Sequence, residues 1–234
     1  MNEHLLTKND IFNLLKKISI TNLESEKVEL SFSAGRILST DVISAINLPP
    51  FNNSAVDGYA IHNDNIKDSK RLKCIQRVAA GDKKEILLNV NNVARIFTGA
   101  RMPKNCKTVV MQENVIIDGD YIVMNKIPES GENCRLAGED ISKGSKILQS
   151  GEKINSTNLN LIAAIGKKYV EVKKKIKVGY LTSGNELIEP SEKLKGAEIN
   201  NSNRYSLHSL LKNSYIDPYY LGVLKDSKKN IIES

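Results

Sequence analysis

The sequence predicts a multidomain chain that mixes α+β and α/β character, and three observations predict it. Between residues 58 and 124 the pattern is one of short β segments broken by turns. A lysine connector, Lys173-Lys174-Lys175, then interrupts the apolar pattern. Beyond it come a near-continuous apolar strand, a turn, a helical pattern and a second apolar strand, the order of a parallel βαβ unit. The expected organisation is a mixed first domain formed by 1–45 and 130–173, a small all-β domain inserted at 46–129, and the start of an α/β domain at 174–234.

Taken in order, Thr7 with Asp10 has the spacing of a capping box, and Ile11, Leu14, Leu15 and Ile18 recur at helical spacing behind it. Val28, Leu30 and Phe32 alternate as in a half-buried strand. Strand segments follow at 59–61, 72–79, 94–97 and 108–111, and Asp118-Gly119 between two apolar runs reads as a hairpin turn. Ser156 is the expected cap of a helix through Leu159, Ile162 and Ala163 that ends at Gly166, where glycine accepts a left-handed conformation. In the last segment, 176–182 reads as a strand and Ser183-Gly184 as its turn. Ser202 or Asn203 caps a helix carrying Leu207, Leu210 and Leu211, and 219–224 is the next parallel strand. The residues from Asp226, with Ile231 and Ile232, read as a capped helix just begun.

Composition narrows the function classes. The chain has 234 residues, 26% of them charged and 40% apolar, an ordinary balance for a water-soluble protein. No apolar run approaches the ~20 residues that span a bilayer, and the first residues lack a basic region followed by an apolar one, so a cytoplasmic protein without a membrane segment is expected. Cys74, Cys106 and Cys134 are odd in number and widely spaced, which suggests neither a disulfide framework nor a zinc site but small buried apolar residues. A net charge of +7 favours anionic ligands, yet the lysines are spread along the chain and aromatic residues make up only 5%, which argues against nucleic acid.

One string carries chemistry: Leu48-Pro49-Pro50-Phe51-Asn52-Asn53-Ser54-Ala55-Val56-Asp57-Gly58-Tyr59-Ala60. Consecutive prolines, a run of turn-forming side chains and an Asp-Gly pair hold the backbone still and present Asp57. An isolated Asp-Gly is common punctuation with a capping carboxylate. In the α/β segment, Glu186 follows the first strand and Asp226 the second, so both carboxylates reach the carboxyl ends of neighbouring strands, where open α/β sheets gather ligands. Taken alone, Asp226 reads first as an acid at a helix start beside Ser227.

The thirteen-residue string closely resembles the signature of the molybdopterin molybdenumtransferase (MoeA) family, which also includes the gephyrin E domain. Three further blocks follow in the family's order. Arg95-Ile96-Phe97-Thr98-Gly99-Ala100-Arg101-Met102-Pro103, with Val109 to Glu113 behind it, is similar to the second. Arg135-Leu136-Ala137-Gly138-Glu139-Asp140-Ile141 with Gly144 is similar to the third. Gly179 to Leu187, with Asn200 to Tyr205, resembles the opening of the family's molybdopterin-binding, MogA-like three-layer α/β domain.

The resemblance implies insertion of molybdate into adenylylated molybdopterin with release of AMP. It implies Asp57 and Thr98 from the β domain of one subunit facing Glu186 and Asp226 of the other in a homodimer. Asp57, Glu186 and Asp226 are then the ligands of a Mg2+ ion, because hard cations take oxygen donors. Ser54, Ser183, Gly184, Asn203 and Arg204 are the implied substrate contacts, a pterin is the small-molecule partner, and the molybdopterin adenylyltransferase is a further contact. Two positions depart from the pattern: Asn52 and Asn185 stand where the family commonly has Asp, which keeps an acceptor oxygen but removes a charge. The remainder of the α/β domain and a final β domain of the family find no counterpart before Ser234. The chain therefore reads as the amino-terminal part of the enzyme, inactive alone, and the alternative is a noncatalytic molybdopterin-binding or dimerising module.

Overall fold

The computed structural model describes residues 6–18, 22–65 and 71–233. The first five residues, read above for a leader, lie outside them. In chain order the elements are α1 (Lys8–Lys16), β1 (Ser25–Glu29), β2 (Val42–Ile43), β3 (Asn53–Ser54), β4 (Gly58–His62), β5 (Leu72–Val78), β6 (Asn92–Ile96), β7 (Cys106–Met111), β8 (Val115–Asp118), β9 (Tyr121–Met124), β10 (Cys134–Arg135) and β11 (Lys146–Leu148). They continue with α2 (Ser156–Ala164), β12 (Tyr169–Lys173), β13 (Ile176–Ser183), β14 (Leu187–Ile188), β15 (Ile199–Asn200), α3 (Ser202–Leu211), β16 (Ile216–Leu224) and α4 (Lys228–Glu233). The chain divides into two compact units, one of Met1–Thr40, Ser150–Leu159 and Lys168–Ser234, the other of Asp41–Gln149 and Asn160–Lys167.

The second unit is organised by a six-stranded sheet in the order β7-β4-β6-β5-β9-β8. Its pairings are antiparallel except β5 with β6, which run parallel. Strand period 2 sends alternate residues to opposite faces. Ala60, Ala94, Ile96 and Val109 join Val78, Ile86 and Leu88 in one core, while Tyr59, Ile61, Val93 and Val110 join Leu72, Ile122 and Met124 in another. Both faces of the central strands are thus covered, and each fully buried Val, Leu or Ile contributes about 1.5–3 kcal/mol over leaving it exposed. Cys106 lies in the first core, and Cys74 and Cys134 pack partly buried against the two cores as free thiols. The β8–β9 hairpin forms with Asp118 opposite Tyr121, and Gly119 takes φ 60° in its two-residue loop.

In the first unit β1 pairs antiparallel with β12, Val28 opposite Val170. β13 pairs in parallel with β16, from Ile176 opposite Ile216 to Ser183 opposite Leu224. α3 connects the two strands in sequence, yet Leu210 and Leu221 remain 80% and 66% exposed. α1 carries the expected capping box, with Thr7 and Asp10 each bonded to the other's backbone N–H, although Ile18 falls beyond the C-cap Lys17. Among the described residues no helix is long and apolar enough to cross a membrane.

Three local expectations need correction. The strand expected through Leu30 and Phe32 stops at Glu29, and Leu30–Phe32 closes a 3-10 turn. Its cause is Ser33, whose N–H and buried hydroxyl both donate to the Leu30 carbonyl and offer the backbone an alternative to the ladder. Ser156 is the first helical residue of α2, and Asn155 provides the cap through Oδ1, which accepts from the Asn158 N–H at 2.8 Å. α3 begins after Asn201, whose side chain makes no cap bond and donates instead to the Thr182 hydroxyl and the Tyr220 phenol. At the far end of α2 the pattern does hold: Gly166 takes φ 80°, its N–H donates to Ala163 and that of Lys167 to Ile162, the paired bonds of a Schellman stop.

Candidate functional site

The loop before β4 is built from its backbone outward. The Leu48–Pro49 peptide is cis, and β3 pairs with β10 so that Ser54 lies opposite Cys134. Ser54 is buried, and its hydroxyl donates to the Val56 carbonyl at 2.5 Å and accepts from the Val56 N–H at 3.3 Å. This side chain therefore shapes the turn that delivers Asp57. Asn52 has a similar duty, its Oδ1 accepting from the Ala137 N–H at 2.8 Å.

Asp57 stands at the entry to a doubly paired strand. Its own carbonyl accepts from Gln112 N–H at 3.1 Å, and β4 then runs between β6 and β7. Gly58 is required there because a Cβ would lie 2.0 Å from the Val110 carbonyl oxygen. The Asp57 side chain reaches across to the Thr98-Gly99 turn, where Gly99 has φ 79°. Thr98 donates twice to the same oxygen, its N–H and its hydroxyl each 2.8 Å from Asp57 Oδ1. The backbone bond from Thr98 first and its hydroxyl second hold the Asp57 carboxyl below its ordinary value; burial opposes them, and the nearby charge of Arg95 adds the smallest contribution. Oδ2 has no hydrogen-bond partner among the described residues, which leaves one oxygen of a fixed carboxylate for a ligand.

Arg95 opens the second sequence block, but motif reading assigned it no role. Its guanidinium lies 5.0 Å from the ring centroids of both Tyr59 and Phe97, and Arg77 sits 4.6 Å over the same Phe97. Arg95 also donates to the Gly58 carbonyl at 3.3 Å and to the Gln112 side chain. The signal was the alternation Arg95-x-Phe97 on one strand face, which becomes readable once Tyr59 is known to lie opposite Arg95. The third sequence block forms a charged cluster on β10 and the loop after it: Arg135 pairs with Glu139 and, at 2.6 Å, with Asp140.

In the first unit, the parallel register brings the carboxyl ends of β13 and β16 side by side. Buried Gly184 takes φ 145°, and a Cβ there would meet the Glu186 carboxylate at 2.8 Å. Asn185 Oδ1 accepts from the Asp226 N–H at 3.2 Å, so Asn185 ties the two strand ends together with an oxygen that Asp would equally supply. The structure thus gathers Gly184, Glu186 and Asp226 at one edge. Ser183, Glu186 and Asn203 are exposed, and their side chains make no hydrogen bond among the described residues. Arg204 is already engaged, paired with Glu189 at 2.6 Å and stacked 4.4 Å over Tyr220. Among the described residues no group of three or more His, Cys, Asp or Glu side chains forms a preassembled metal cage.

Comparison with known proteins places this arrangement. Residues 6–166 match the model of the MoeA N-terminal region, domains I and II. The molybdopterin molybdenumtransferase of Haemophilus influenzae is 34% identical over 206 residues, which is 88% of this chain and 51% of the relative. That of a Nostoc species is 33% identical over 226 residues, covering 94% of this chain and 52% of the relative. A crystal structure of a molybdopterin biosynthesis MoeA protein from Pyrococcus horikoshii OT3 superposes with a TM-score of 0.81 at 33% identity, over 90% of this chain and 58% of that one. The chain spans about half the length of the curated relatives it matches. With the family model matched over residues 6–166, where the first three motif blocks lie, the chain belongs to the family of the MoeA N-terminal region.

Proposed function

We propose that this chain acts in molybdenum-cofactor biosynthesis as a molybdopterin molybdenumtransferase. Molybdate attacks, or exchanges at, adenylylated molybdopterin, giving molybdenum cofactor and AMP. The observation that carries the reading is the Asp57 carboxylate, fixed through Oδ1 by two Thr98 donors and open at Oδ2, in a chain whose relatives bear that enzyme name. An acceptor-only group held ionised suits a polar, phosphate-bearing substrate that arrives with a cation.

In this reading Asp57 and Thr98 of one subunit work with Glu186 and Asp226 of its partner in a homodimer. Residues 174–234 open a MogA-like domain in which Ser183, Gly184, Asn203 and Arg204 contact the pterin, and Ser54 shapes the Asp57 turn. The donor set fits Mg2+ by chemistry, since that ion is commonly held by one or two carboxylates with substrate phosphates and needs no all-protein cage. Asp57, Glu186 and Asp226 are the residues that would hold it, and when bound it neutralises charge on the departing adenylate. The setting is cytoplasmic, and the molybdopterin adenylyltransferase is the natural donor of the substrate.

The test uses a chimera in which this chain replaces the matching half of the Haemophilus influenzae relative. AMP release from adenylylated molybdopterin is followed with and without molybdate and magnesium. Molybdate-dependent release is expected; pterin binding by a folded chimera without any release would give the noncatalytic module instead. Mixing Asp57→Ala with Glu186→Ala chimeras after verified subunit exchange should restore part of the activity, and no recovery would place the whole site within one subunit.

A further inference from the structure

The contact between Thr98 and Asp57 joins residues 41 positions apart, and both lie outside the strands that bring them together. The β4–β6 ladder ends at the pair Gly58 opposite Ile96, one residue short of Asp57 and two short of Thr98. Arg95 spans this end of the ladder. Its Nη1 donates to the Gly58 carbonyl at 3.3 Å, and its Nη2 donates to the Gln112 side-chain oxygen. The same guanidinium lies 5.0 Å from the ring centroids of Tyr59 and Phe97. Gly58 follows Asp57, Phe97 precedes Thr98, and Gln112 gives its own N–H to the Asp57 carbonyl at 3.1 Å. One planar group therefore touches all three segments that meet at Asp57: the start of β4, the end of β6 and the residue after β7.

The sheet alone gives little reason for an arginine here. On the parallel strand β5 the register partner of Arg95 is Arg77, whose guanidinium is 4.6 Å from the centroid of the same Phe97 ring. Like charges directly opposite each other destabilise a sheet, and a neutral side chain at 95 would spare that repulsion. The two bonds to Gly58 and Gln112, made from a group stacked on aromatic rings, instead require the planar fork of donors that only arginine carries. We propose that Arg95 is a positioning residue: it clamps the three segments so that Thr98 meets Asp57 Oδ1 and Oδ2 stays open. Its bearing on turnover rests on the molybdenumtransferase reading, whereas its bearing on the Thr98–Asp57 contact does not.

Arg95→Lys keeps the charge and removes the fork, and hydrogen exchange of the 234-residue chain, read by NMR, tests the substitution. The Thr98 and Gln112 amides, both bonded to Asp57, should exchange about tenfold faster, with the amides inside β4 and β6 unchanged and Tm nearly so. Gln112→Ala alters an exposed side chain and removes one of the two Arg95 bonds, so it should give a smaller acceleration at Thr98. It decides the matter if Arg95→Lys does not fold. In the chimera, Arg95→Lys should lower kcat about tenfold at nearly unchanged KM, the mark of a contact made in the transition state. Unchanged Thr98 exchange in the variants that fold overturns the proposal. So does faster exchange spread evenly over the sheet, which is what a purely structural role predicts, or full rescue of kcat by lysine. An unsubstituted chimera without turnover counts against the molybdenumtransferase reading, and the exchange result then judges Arg95 by itself.

Discussion

β4 of the second unit and β13 of the first each lead to an acidic residue, Asp57 just before one and Glu186 just after the other. Their surroundings differ. β4 has a partner along both edges, and Gly58, Tyr59, Ala60 and Ile61 are all buried. Among the described residues β13 has one partner, β16, and of its own residues only Thr182 is buried. Asp57 receives two hydrogen bonds from a neighbouring turn, while the Glu186 carboxylate receives none among the described residues. The contrast teaches that a strand's apolar sequence does not by itself fix the side chains at its ends. Fixing them takes neighbours on both edges and a second loop close enough to donate.

The largest expected effect breaks the comparison at its functional point. In the chimera, Asp57→Asn keeps an oxygen for the Thr98 donors but removes the charge. If the carboxylate stabilises the transition state by ~3–4 kcal/mol, turnover falls roughly 100-fold to 1000-fold with Tm nearly unchanged. Near-normal turnover would return Asp57 to the role of an ordinary turn residue. The next effect tests packing. Ile96 is fully buried, so Ile96→Ala should lower stability by about 2–5 kcal/mol, whereas Leu221→Ala, at a side chain 66% exposed, should stay within about 0.5 kcal/mol. Denaturant midpoints read both, and similar losses would mean that the two sheets are equally packed.

The smallest effect concerns protonation. Thr98→Val keeps the backbone donor, the larger cause of the lowered Asp57 pKa, and removes the hydroxyl. The Asp57 carboxyl should therefore move part of the way back toward its ordinary 3.8, as read from its carboxyl carbon shift. A group lowered on folding stabilises the native state above its unfolded value, and that stabilisation is lost as pH falls through the lowered native value. In Thr98→Val the total stabilisation is therefore smaller, and its loss, which starts at the unfolded value in both proteins, is complete at a higher pH. An unmoved titration would show that the hydroxyl contributes nothing to the field at Asp57.

Much of this was legible because local rules decide it. Thr7 with Asp10 forms its capping box, Asp118-Gly119 its hairpin, and Gly166 its helix stop, each from residues within a few positions of one another. Caps adjacent to several eligible side chains were misplaced by one or two residues. Asn155 rather than Ser156 takes the α2 cap, and Asn201 before α3 turns its amide to Thr182 and Tyr220. Local propensity cannot see a partner 19 residues away, and such a partner won. The bond from Thr98 to Asp57 spans 41 residues, and the Arg95 ladder requires the β4–β6 register, so neither followed from spacing. The two carboxylates at the ends of β13 and β16 were legible through a general rule for parallel sheets, since adjacency of strand ends follows from topology alone.

Gly58 carries a further consequence, in binding entropy. Because Val110 approaches so closely at that position, the backbone beside Asp57 is locked between two strands before any ligand arrives. Immobilising a rotamer-rich side chain at an interface ordinarily costs about 0.5–1.5 kcal/mol at the moment of association. At Asp57 folding has already imposed that order, so a cation or phosphate meeting Oδ2 encounters a group with little freedom left to lose.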